Sequence, residues 1–176
     1  HEPTTPRELD RILGSETVHQ GLLLETEPLP EPKIELLISQ TSTKGPLVLL
    51  DQVTDPHNVG AILRSAAAFG AAGLIMTRRH SPPLTGTLAK SASGALEIIP
   101  ITLVQNLSRT LLELKEMGVE ILGLAAGASQ TIENENFQKP TALVFGAEGK
   151  GLRQLTEETC HRTVRIATVE ALHSLN

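Results

Sequence analysis

The most informative part of the chain is ALVFGAEGKGLR, residues 142–153, where a short apolar run meets a glycine-rich turn. Residues 142–145 are continuously apolar and end abruptly at Gly146, which is typical of a buried strand. Three glycines within six residues let the backbone approach a ligand closely, because no Cβ stands in the way. Such a turn, after a strand and before a helical pattern, usually marks the ligand-binding end of an α/β sheet. Its spacing matches neither GxGxxG nor GxxxxGK[ST], so the signatures of dinucleotide-binding and ATP-binding loops are missing.

A second segment, residues 49–66, has the sequence LLDQVTDPHNVGAILRSA. Its DP dipeptide predicts a helix start, because an N-cap aspartate is followed by proline at the first helical position. Gly60 and Arg64 are four residues apart and therefore lie on the same side of that helix. Asn58 falls in the turn or in the first helical residues, next to the strand end.

A third segment lies at the end of the chain. A β-branched run at residues 164–166 predicts a short strand, and the chain stops at Ser174-Leu175-Asn176, with two hydrogen-bonding side chains. Taken alone, this segment would be interpreted as a frayed chain end.

In this order, the three segments resemble the motifs of the SpoU family of RNA ribose 2′-O-methyltransferases, which belongs to the knotted SPOUT class. The resemblance covers residues 47–176. It places motif one at residues 58–64, motif two at residues 146–151, and motif three at Ile166 with residues 174–176.

Within the family, RRHS at residues 78–81 and KSASGA at residues 90–95 are most similar to the bacterial enzymes that methylate a guanosine ribose in 23S ribosomal RNA. The mitochondrial counterparts are a close second. One departure is Ala167-Thr168, where the family usually has Pro-Met.

The resemblance predicts that the chain consists of two parts, residues 1–44 and residues 45–176. Residues 1–44 are polar, and three prolines between residues 28 and 32 favour an extended linker. VHQG at residues 18–21 resembles the point where the family's N-terminal RNA-binding domain ends, so residues 1–44 are expected to be a remnant of that domain and its linker. Residues 45–176 are expected to form the SpoU methyltransferase domain, without the family's final helix.

Apolar runs alternate with helical patterns and predict an α/β fold, with a mainly parallel six-stranded sheet and helices on both faces. The predicted strands are residues 47–51, 74–77, 97–101, 120–124, 142–145 and 163–166. The predicted helices are residues 59–69, 84–93, 107–117 and 152–160. The pattern itself also allows a Rossmann-like or flavodoxin-like strand order. A C-terminal trefoil knot is implied by the resemblance alone.

Composition limits how the chain can hold RNA. Its net charge of −5 argues against binding by bulk electrostatic attraction. With no Trp or Tyr and only three Phe, it offers few surfaces for base stacking. RNA contacts must therefore come from local basic groups, for which the candidates are Arg64, Arg78, Arg79, His80 and Lys90. A solvated loop is an equally good interpretation of Arg78 and Arg79.

The single cysteine, Cys160, cannot form an internal disulfide, which fits a reducing compartment. We interpret it as a half-buried helix residue rather than a nucleophile, and with His161 beside it the spacing is poor for a metal site. No stretch approaches the roughly 20 apolar residues of a membrane span. We expect a cytoplasmic bacterial protein without metal or membrane partner, a mitochondrial counterpart being the alternative.

The resemblance implies methyl transfer to a ribose 2′-hydroxyl, with catalytic roles for Asn58, Arg64, Glu148, Ser174 and Asn176. That hydroxyl must lose its proton or have its oxyanion stabilised. The pKa of an arginine exceeds about 12, so we expect Arg64 to clamp the adjacent phosphate and the developing oxyanion. A role for Arg64 as the base is the alternative. Glu148 is expected to fix Asn58 and Arg64.

The cofactor implied by the resemblance is S-adenosylmethionine, held mostly by backbone groups. The residues expected to line its site are Gly146, Ile166, Leu175, Leu124 and Gly127. Displacement at the sulfonium needs no metal, only an in-line approach and a site that excludes water. The implied partners are RNA, ribosomal rather than transfer RNA, and a second copy of the chain in a homodimer.

Two alternatives stand beside a methyltransferase acting on ribosomal RNA. The first is the corresponding enzyme acting on transfer RNA. The second is a non-catalytic RNA-binding assembly factor with the same fold. Ala167-Thr168 leaves this alternative open, and the presence of Asn58, Arg64, Glu148, Ser174 and Asn176 argues against it.

Overall fold

The computed structural model describes residues 2–168, and within them six strands form one sheet in which every strand pair is parallel. The strands are β1 (Gly45–Asp51), β2 (Ala71–Thr77), β3 (Ile101–Val104), β4 (Glu120–Leu124), β5 (Thr141–Gly146) and β6 (Arg162–Val164). Their order across the sheet is β3-β2-β1-β5-β4-β6.

The same residues form seven α-helices and one 3₁₀ turn at Ile132–Asn134. The helices are α1 (Pro6–Leu13), α2 (Ile34–Gln40), α3 (Pro56–Ala68), α4 (Gly86–Ala92), α5 (Ala95–Ile98), α6 (Leu107–Glu116) and α7 (Gln154–Thr159). In this part of the chain, the structure contains no helix with the length and apolar character needed to cross a bilayer.

Both faces of the sheet are buried, which explains why its strands are continuously apolar. Successive side chains of a strand point to opposite faces, and β1 shows this directly. Val48 and Leu50 pack in a cluster with residues of α3, α4 and α5, whereas Leu47 and Leu49 pack in a second cluster with residues of α2 and α6. The prediction of an α/β fold with helices on both faces of a parallel sheet is confirmed.

The strand order excludes the Rossmann-like order that the pattern also allowed, because β5, not β4, lies beside β1. In the β1–β5 register, Asp51 lies opposite Gly146, so the two strands end at the same edge. From that edge the chain continues into α3 on one face of the sheet, and after β5 it continues into α7, which packs beside α6 on the other face. Parallel sheets bind ligands in the crevice that opens at such a switch point.

The third predicted strand, residues 97–101, is wrong. The structure places the end of a helical turn, α5, at residues 97 and 98, and β3 begins only at Ile101. Ser93 and Gly94 adopt φ of 49° and 87°, which end α4 and turn the chain into α5. A short apolar run has no periodicity that distinguishes a buried strand from a buried helical turn.

Two helices lie in residues 1–44, where the sequence pattern predicted only a polar, proline-punctuated segment. Residues 22–33 do lack helix and strand. However, α2 belongs to the core: Leu37 is fully buried, and a Cβ added to Gly73 of β2 would lie 2.8 Å from its Cδ2. The absence of a side chain at Gly73 therefore lets α2 pack directly on the sheet.

The described residues stop before the end of motif three. Ser174, Leu175 and Asn176, and with them the trefoil knot, lie outside the residues that the structure describes. Their roles, and the knot, remain predictions.

Candidate active site at the β1–β5 edge

The glycine turn, residues 146–151, closes on itself at the carboxyl end of β5. Ala147 N–H donates to the Gly151 carbonyl (3.1 Å), and Gly151 N–H donates to the Ala147 carbonyl (2.8 Å). Gly149 and Gly151 adopt φ of 74° and 68°, in the left-handed region that favours glycine. A Cβ at Gly146 would lie 2.1 Å from the carbonyl carbon of Gly151, so the turn itself requires glycine there.

A side-chain contact joins this turn to the start of α3. Asp55 caps α3 by accepting a hydrogen bond from His57 N–H at 2.8 Å, which places Asn58 in the first helical turn. The Asn58 Nδ2 donates to Glu148 Oε2 at 3.0 Å. Motifs one and two, 90 residues apart in sequence, are thus in direct contact. The interaction expected between Glu148 and Asn58 is present in the structure.

Arg64 forms its hydrogen bond with α4 rather than with Glu148, the residue that was expected to fix it. Its Nη1 donates to the backbone carbonyl of Ser91, in the last turn of α4. Gly60 allows this approach: a Cβ there would lie 2.3 Å from Ser91 Oγ and 2.8 Å from the Ser91 carbonyl carbon. Gly60 and Arg64 therefore meet the same residue of α4, as their shared helix side predicts. A cation near the carbonyls at a helix C-terminus is favourably placed.

Of the residues predicted to bind the cofactor, the four that the structure describes lie where three neighbouring strands end. Gly146 ends β5, and Leu124 ends β4 and is half-buried. Gly127 is exposed in the loop after β4, and Ile166, 41% exposed, follows β6. Since β5, β4 and β6 are adjacent in the sheet, these loops lie side by side.

Backbone hydrogen bonds hold the loops after β4 and β6 together. Ala125 N–H donates to the Val164 carbonyl at 3.0 Å, and Arg165 N–H donates to the Gln130 carbonyl at 2.9 Å. Farther along, Ala167 N–H donates to Glu133 Oε1 at 3.4 Å. Hydrogen bonds from its own backbone N–H, from Ala167 and from Thr131 lower the pKa of Glu133. The backbone next to Ile166 is therefore tied to the 3₁₀ turn.

Of the candidate RNA-binding groups in the loop after β2, Arg78 is already paired. Its Nη2 donates to both carboxylate oxygens of Glu31 at 2.8 Å, and Leu103 N–H of β3 donates to Glu31 Oε1 at 3.1 Å. His80 adopts a φ of 63°, and the Thr77 hydroxyl donates to the carbonyl of Arg79. The segment before α2 thus contacts the loop that carries Arg78.

Asp51 and Arg153 form a contact that sequence reasoning missed. Asp51 is fully buried at the end of β1, and it accepts hydrogen bonds from the backbone N–H and the guanidinium of Arg153. The only signal in the sequence is an acidic residue that directly follows the apolar run LVLL. Nothing in sequence spacing connects it with a residue 102 positions later.

Cys160 and His161 have structural partners. The Cys160 Sγ donates to the Thr156 carbonyl at 3.3 Å, and burial raises the pKa of the thiol to about 11. His161 Nδ1 accepts a hydrogen bond from Ile121 N–H at 2.9 Å, and desolvation lowers its pKa. Among residues 2–168, no three His, Cys, Asp or Glu side chains are grouped closely enough to hold a metal ion.

The sequence matches the SpoU rRNA Methylase family over residues 45–176. It is 41% identical over 173 residues to the 23S rRNA (guanosine-2′-O-)-methyltransferase RlmB of Pseudomonas putida, covering 97% of this chain and 69% of that protein.

Two solved structures are also similar. The SpoU methyltransferase AviRb from Streptomyces viridochromogenes, in complex with AdoMet, has a TM-score of 0.70 and 26% identity, covering 84% of this chain and 60% of that one. An AdoMet-bound rRNA methyltransferase from Sinorhizobium meliloti has a TM-score of 0.68 and 26% identity, covering 80% and 54%.

The all-parallel sheet and the glycine turn at its switch point define a ligand-binding α/β protein. More specifically, the chain belongs to the SpoU rRNA methylase family. The resemblance drawn from the three motifs is confirmed.

Proposed function

We propose that this protein transfers a methyl group from S-adenosylmethionine to a ribose 2′-hydroxyl of a guanosine in 23S ribosomal RNA. Two findings support this reaction and substrate. The chain belongs to the SpoU family, and it is 41% identical to the 23S rRNA (guanosine-2′-O-)-methyltransferase RlmB of Pseudomonas putida. The observation that carries the assignment to this site is the contact between Asn58 and Glu148, which brings motifs one and two together at the switch point.

The described residues fit S-adenosylmethionine. The loops after β4, β5 and β6 offer adjacent backbone donors and acceptors. A Cβ added to Gly127 or Gly149 would meet no atom of the described residues within 4 Å, so a ligand can approach the backbone there. Leu124 and Ile166 supply apolar surface beside the same loops, and Leu175 is proposed from the resemblance. S-adenosylmethionine supplies an electrophilic methyl group on a sulfonium. Transfer of this group to a hydroxyl by displacement at the sulfonium needs no metal.

Arg64 is proposed to stabilise charge on the RNA. A guanidinium carries five N–H donors, and one nitrogen of Arg64 is engaged by the Ser91 carbonyl. The remaining donors can bind the phosphate next to the target ribose and the 2′-oxygen as negative charge develops on it. Preorganised donors of this kind are worth most where water is excluded. Arginine keeps its proton at neutral pH, which favours this role over that of a base.

Asn58 is proposed to orient the ribose. Because its Nδ2 donates to Glu148, its Oδ1 can accept the hydrogen bond of the 2′-hydroxyl. Glu148 then acts by holding the Asn58 amide rather than by touching the methyl donor. Ser174 and Asn176 are proposed, from the resemblance, to bind phosphate, cofactor or ribose.

Calorimetry tests cofactor binding directly. We expect S-adenosylmethionine, and its demethylated product, to bind the full chain without added metal. Absence of both heat and a thermal shift at millimolar ligand would reject the methyltransferase function.

A methyl-transfer assay with matched RNA substrates tests the target. With 23S ribosomal RNA and transfer RNA supplied at equal concentration, we expect 2′-O-methylguanosine in the ribosomal RNA alone. Methylated transfer RNA would favour the transfer RNA enzyme. RNA binding without transfer would favour an assembly factor, the function that Ala167-Thr168 makes worth testing.

We propose two further properties from the family resemblance. The first is a homodimer that pairs through the C-terminal knot. Light scattering on the full chain at micromolar concentration should give twice the monomer mass, and a monomer would contradict it. The second is a location in the bacterial cytoplasm, where ribosomal RNA is found.

A further inference from the structure

A fully buried carboxylate lies beneath the glycine turn. Asp51 has 0% of its surface exposed and stands at the last position of β1, opposite Gly146 in the strand register. Burying a charge is unfavourable unless it is paired and hydrogen-bonded. The reason for an acid at this position must therefore lie in what it contacts.

Arg153 provides both a charge and a backbone donor. Its backbone N–H donates to Asp51 Oδ2 at 2.9 Å, and its Nε and Nη2 each lie 2.7 Å from Oδ1. Both carboxylate oxygens are therefore bound by one residue, which immediately precedes α7. Charge-assisted hydrogen bonds of this kind are short and strong.

The position of this contact matters more than its strength. Arg153 is two residues beyond Gly151, the point where the glycine turn closes on Ala147. Asp51 therefore holds the base of the turn, whereas Asn58 holds its tip through Glu148. Asp51 ends β1 and Asn58 lies in the first turn of α3, so the stretch from the end of β1 to the start of α3 contacts the glycine turn at both its base and its tip.

We propose that Asp51 and Arg153 are positioning residues that fix the glycine turn in the geometry that binds the cofactor. This inference rests on the proposed function, because the turn is taken as part of the S-adenosylmethionine site. In this role the two side chains act through the backbone of the turn rather than through contact with the cofactor. The pair determines where the backbone of residues 146–151 lies, and through Glu148 it influences how Asn58 is held.

A purely structural role is the competing explanation, and two variants separate it from positioning. Asp51→Asn removes the charge and replaces one of the two acceptor oxygens with an N–H₂ group, so only one oxygen is left to accept a hydrogen bond from Arg153. The double variant Asp51→Asn/Arg153→Gln restores a complementary, neutral amide pair. Leu37→Ala is the control, because it removes a fully buried side chain of α2 that packs over Gly73 of β2, a strand that β1 separates from β5.

The first measurement is made on the free protein. Amide hydrogen exchange at Gly151 reports the closure of the turn without requiring ligand or activity. We expect exchange at Gly151 to be at least about tenfold faster in Asp51→Asn than in the wild type, since local opening sets this rate. Leu37→Ala should lower the melting temperature without selectively exposing Gly151.

The second measurement is function at a temperature where every variant is folded. We expect Asp51→Asn to weaken S-adenosylmethionine binding in calorimetry and to lower kcat by about 10²-fold, the effect of a displacement near 1 Å. The double variant should recover part of both losses, and Leu37→Ala should retain the wild-type cofactor affinity and kcat. If Asp51→Asn fails to fold, comparison of the double variant with Arg153→Gln alone applies the same test.

The outcomes distinguish this inference from the proposed function. A wild type that binds no S-adenosylmethionine overturns the function. A wild type that binds and methylates, together with an Asp51→Asn variant that loses melting temperature but keeps Gly151 protection, cofactor affinity and kcat, overturns the positioning role alone. Equal losses in Asp51→Asn and the double variant would also overturn it.

Discussion

The two segments that meet at the β1–β5 edge are built in opposite ways. In α3, the chemistry is assigned to side chains, above all to Arg64, which is exposed and held by the Ser91 carbonyl. In the glycine turn, the chemistry is assigned to the backbone, which is held by the buried Asp51. An exposed side-chain site can be disabled with little effect on folding, whereas a backbone site can be disabled only by disturbing the structure around it.

Arg64→Ala tests α3, the segment whose chemistry is assigned to side chains, and should have the largest effect on the rate of methyl transfer. Loss of one preorganised oxyanion donor typically lowers the rate by roughly 10²- to 10³-fold, about 3–4 kcal/mol. We expect methyl transfer to be nearly abolished, with cofactor affinity and melting temperature little changed. Single-turnover kinetics and calorimetry measure the two quantities. Arg64→Lys should not rescue activity, because an ammonium cannot reproduce the guanidinium fork. Full activity in Arg64→Ala would place the centre of the site elsewhere.

Gly60→Ala tests whether α4 positions Arg64. The added Cβ would lie 2.7 Å from Ser91 Cβ and 2.8 Å from its carbonyl carbon, so α3 and α4 must separate. We expect kcat to fall by about 10²-fold, since displacement of a catalytic group by about 1 Å has such an effect. Gly86→Ala, where a Cβ meets no described atom within 4 Å, is the control and should leave kcat unchanged. A Gly60→Ala variant with wild-type kcat would show that Arg64 acts independently of α4.

Gly146→Ala tests the glycine turn, the segment whose chemistry is assigned to the backbone. A Cβ there would overlap the backbone of Gly151 and Leu152, at 2.1 and 2.3 Å, and backbone cannot move aside like a flexible side chain. Overpacking typically costs about 1–3 kcal/mol, so denaturant unfolding should show a loss of this size together with weaker cofactor binding. In contrast to Arg64→Ala, stability and affinity should fall together. A variant that keeps its stability while losing cofactor affinity would mean that the glycine turn, like α3, can be disabled without disturbing the structure around it.

Arg78→Ala and Glu31→Gln should have the smallest effects. The two side chains are 45% and 38% exposed, and exposed ion pairs contribute about 0–1 kcal/mol to stability. Because Glu31 already binds Arg78, we expect the KM for RNA to be unchanged in both variants. A KM raised in Arg78→Ala but not in Glu31→Gln would instead assign Arg78 to the RNA-binding surface, beside the side-chain half of the site.

Most of the fold could be predicted from local patterns, and the errors have identifiable causes. Strands buried on both faces produce apolar runs that are easy to recognise. At residues 95–98, a helical turn with buried Ala95 and Leu96 produces a similar signal, so the third strand was placed too early. Helix α2 is short and has no side-chain N-cap hydrogen bond, so only its packing beneath Gly73 shows that it belongs to the core.

The candidate site was also predictable only in part. Asn58, Arg64, Glu148 and the glycines were predicted because their residue types and order match family motifs. The partners that hold them were not predicted. The Ser91 carbonyl carries no signal in its residue identity, and Asp51 resembles any acid at the end of a strand. Contacts through backbone atoms, or between residues far apart in sequence, leave no local pattern to detect.

By itself, the sequence determined the alternation of strands and helices, the need for glycine in a tight turn, and the family. Only the tertiary structure decided that β5 lies beside β1, which brings Glu148 to Asn58 across 90 residues and Arg153 to Asp51 across 102. The physical reason is that element formation depends on neighbouring residues, through periodicity and backbone preference. Strand order depends instead on how whole faces are buried against each other, which no single segment encodes.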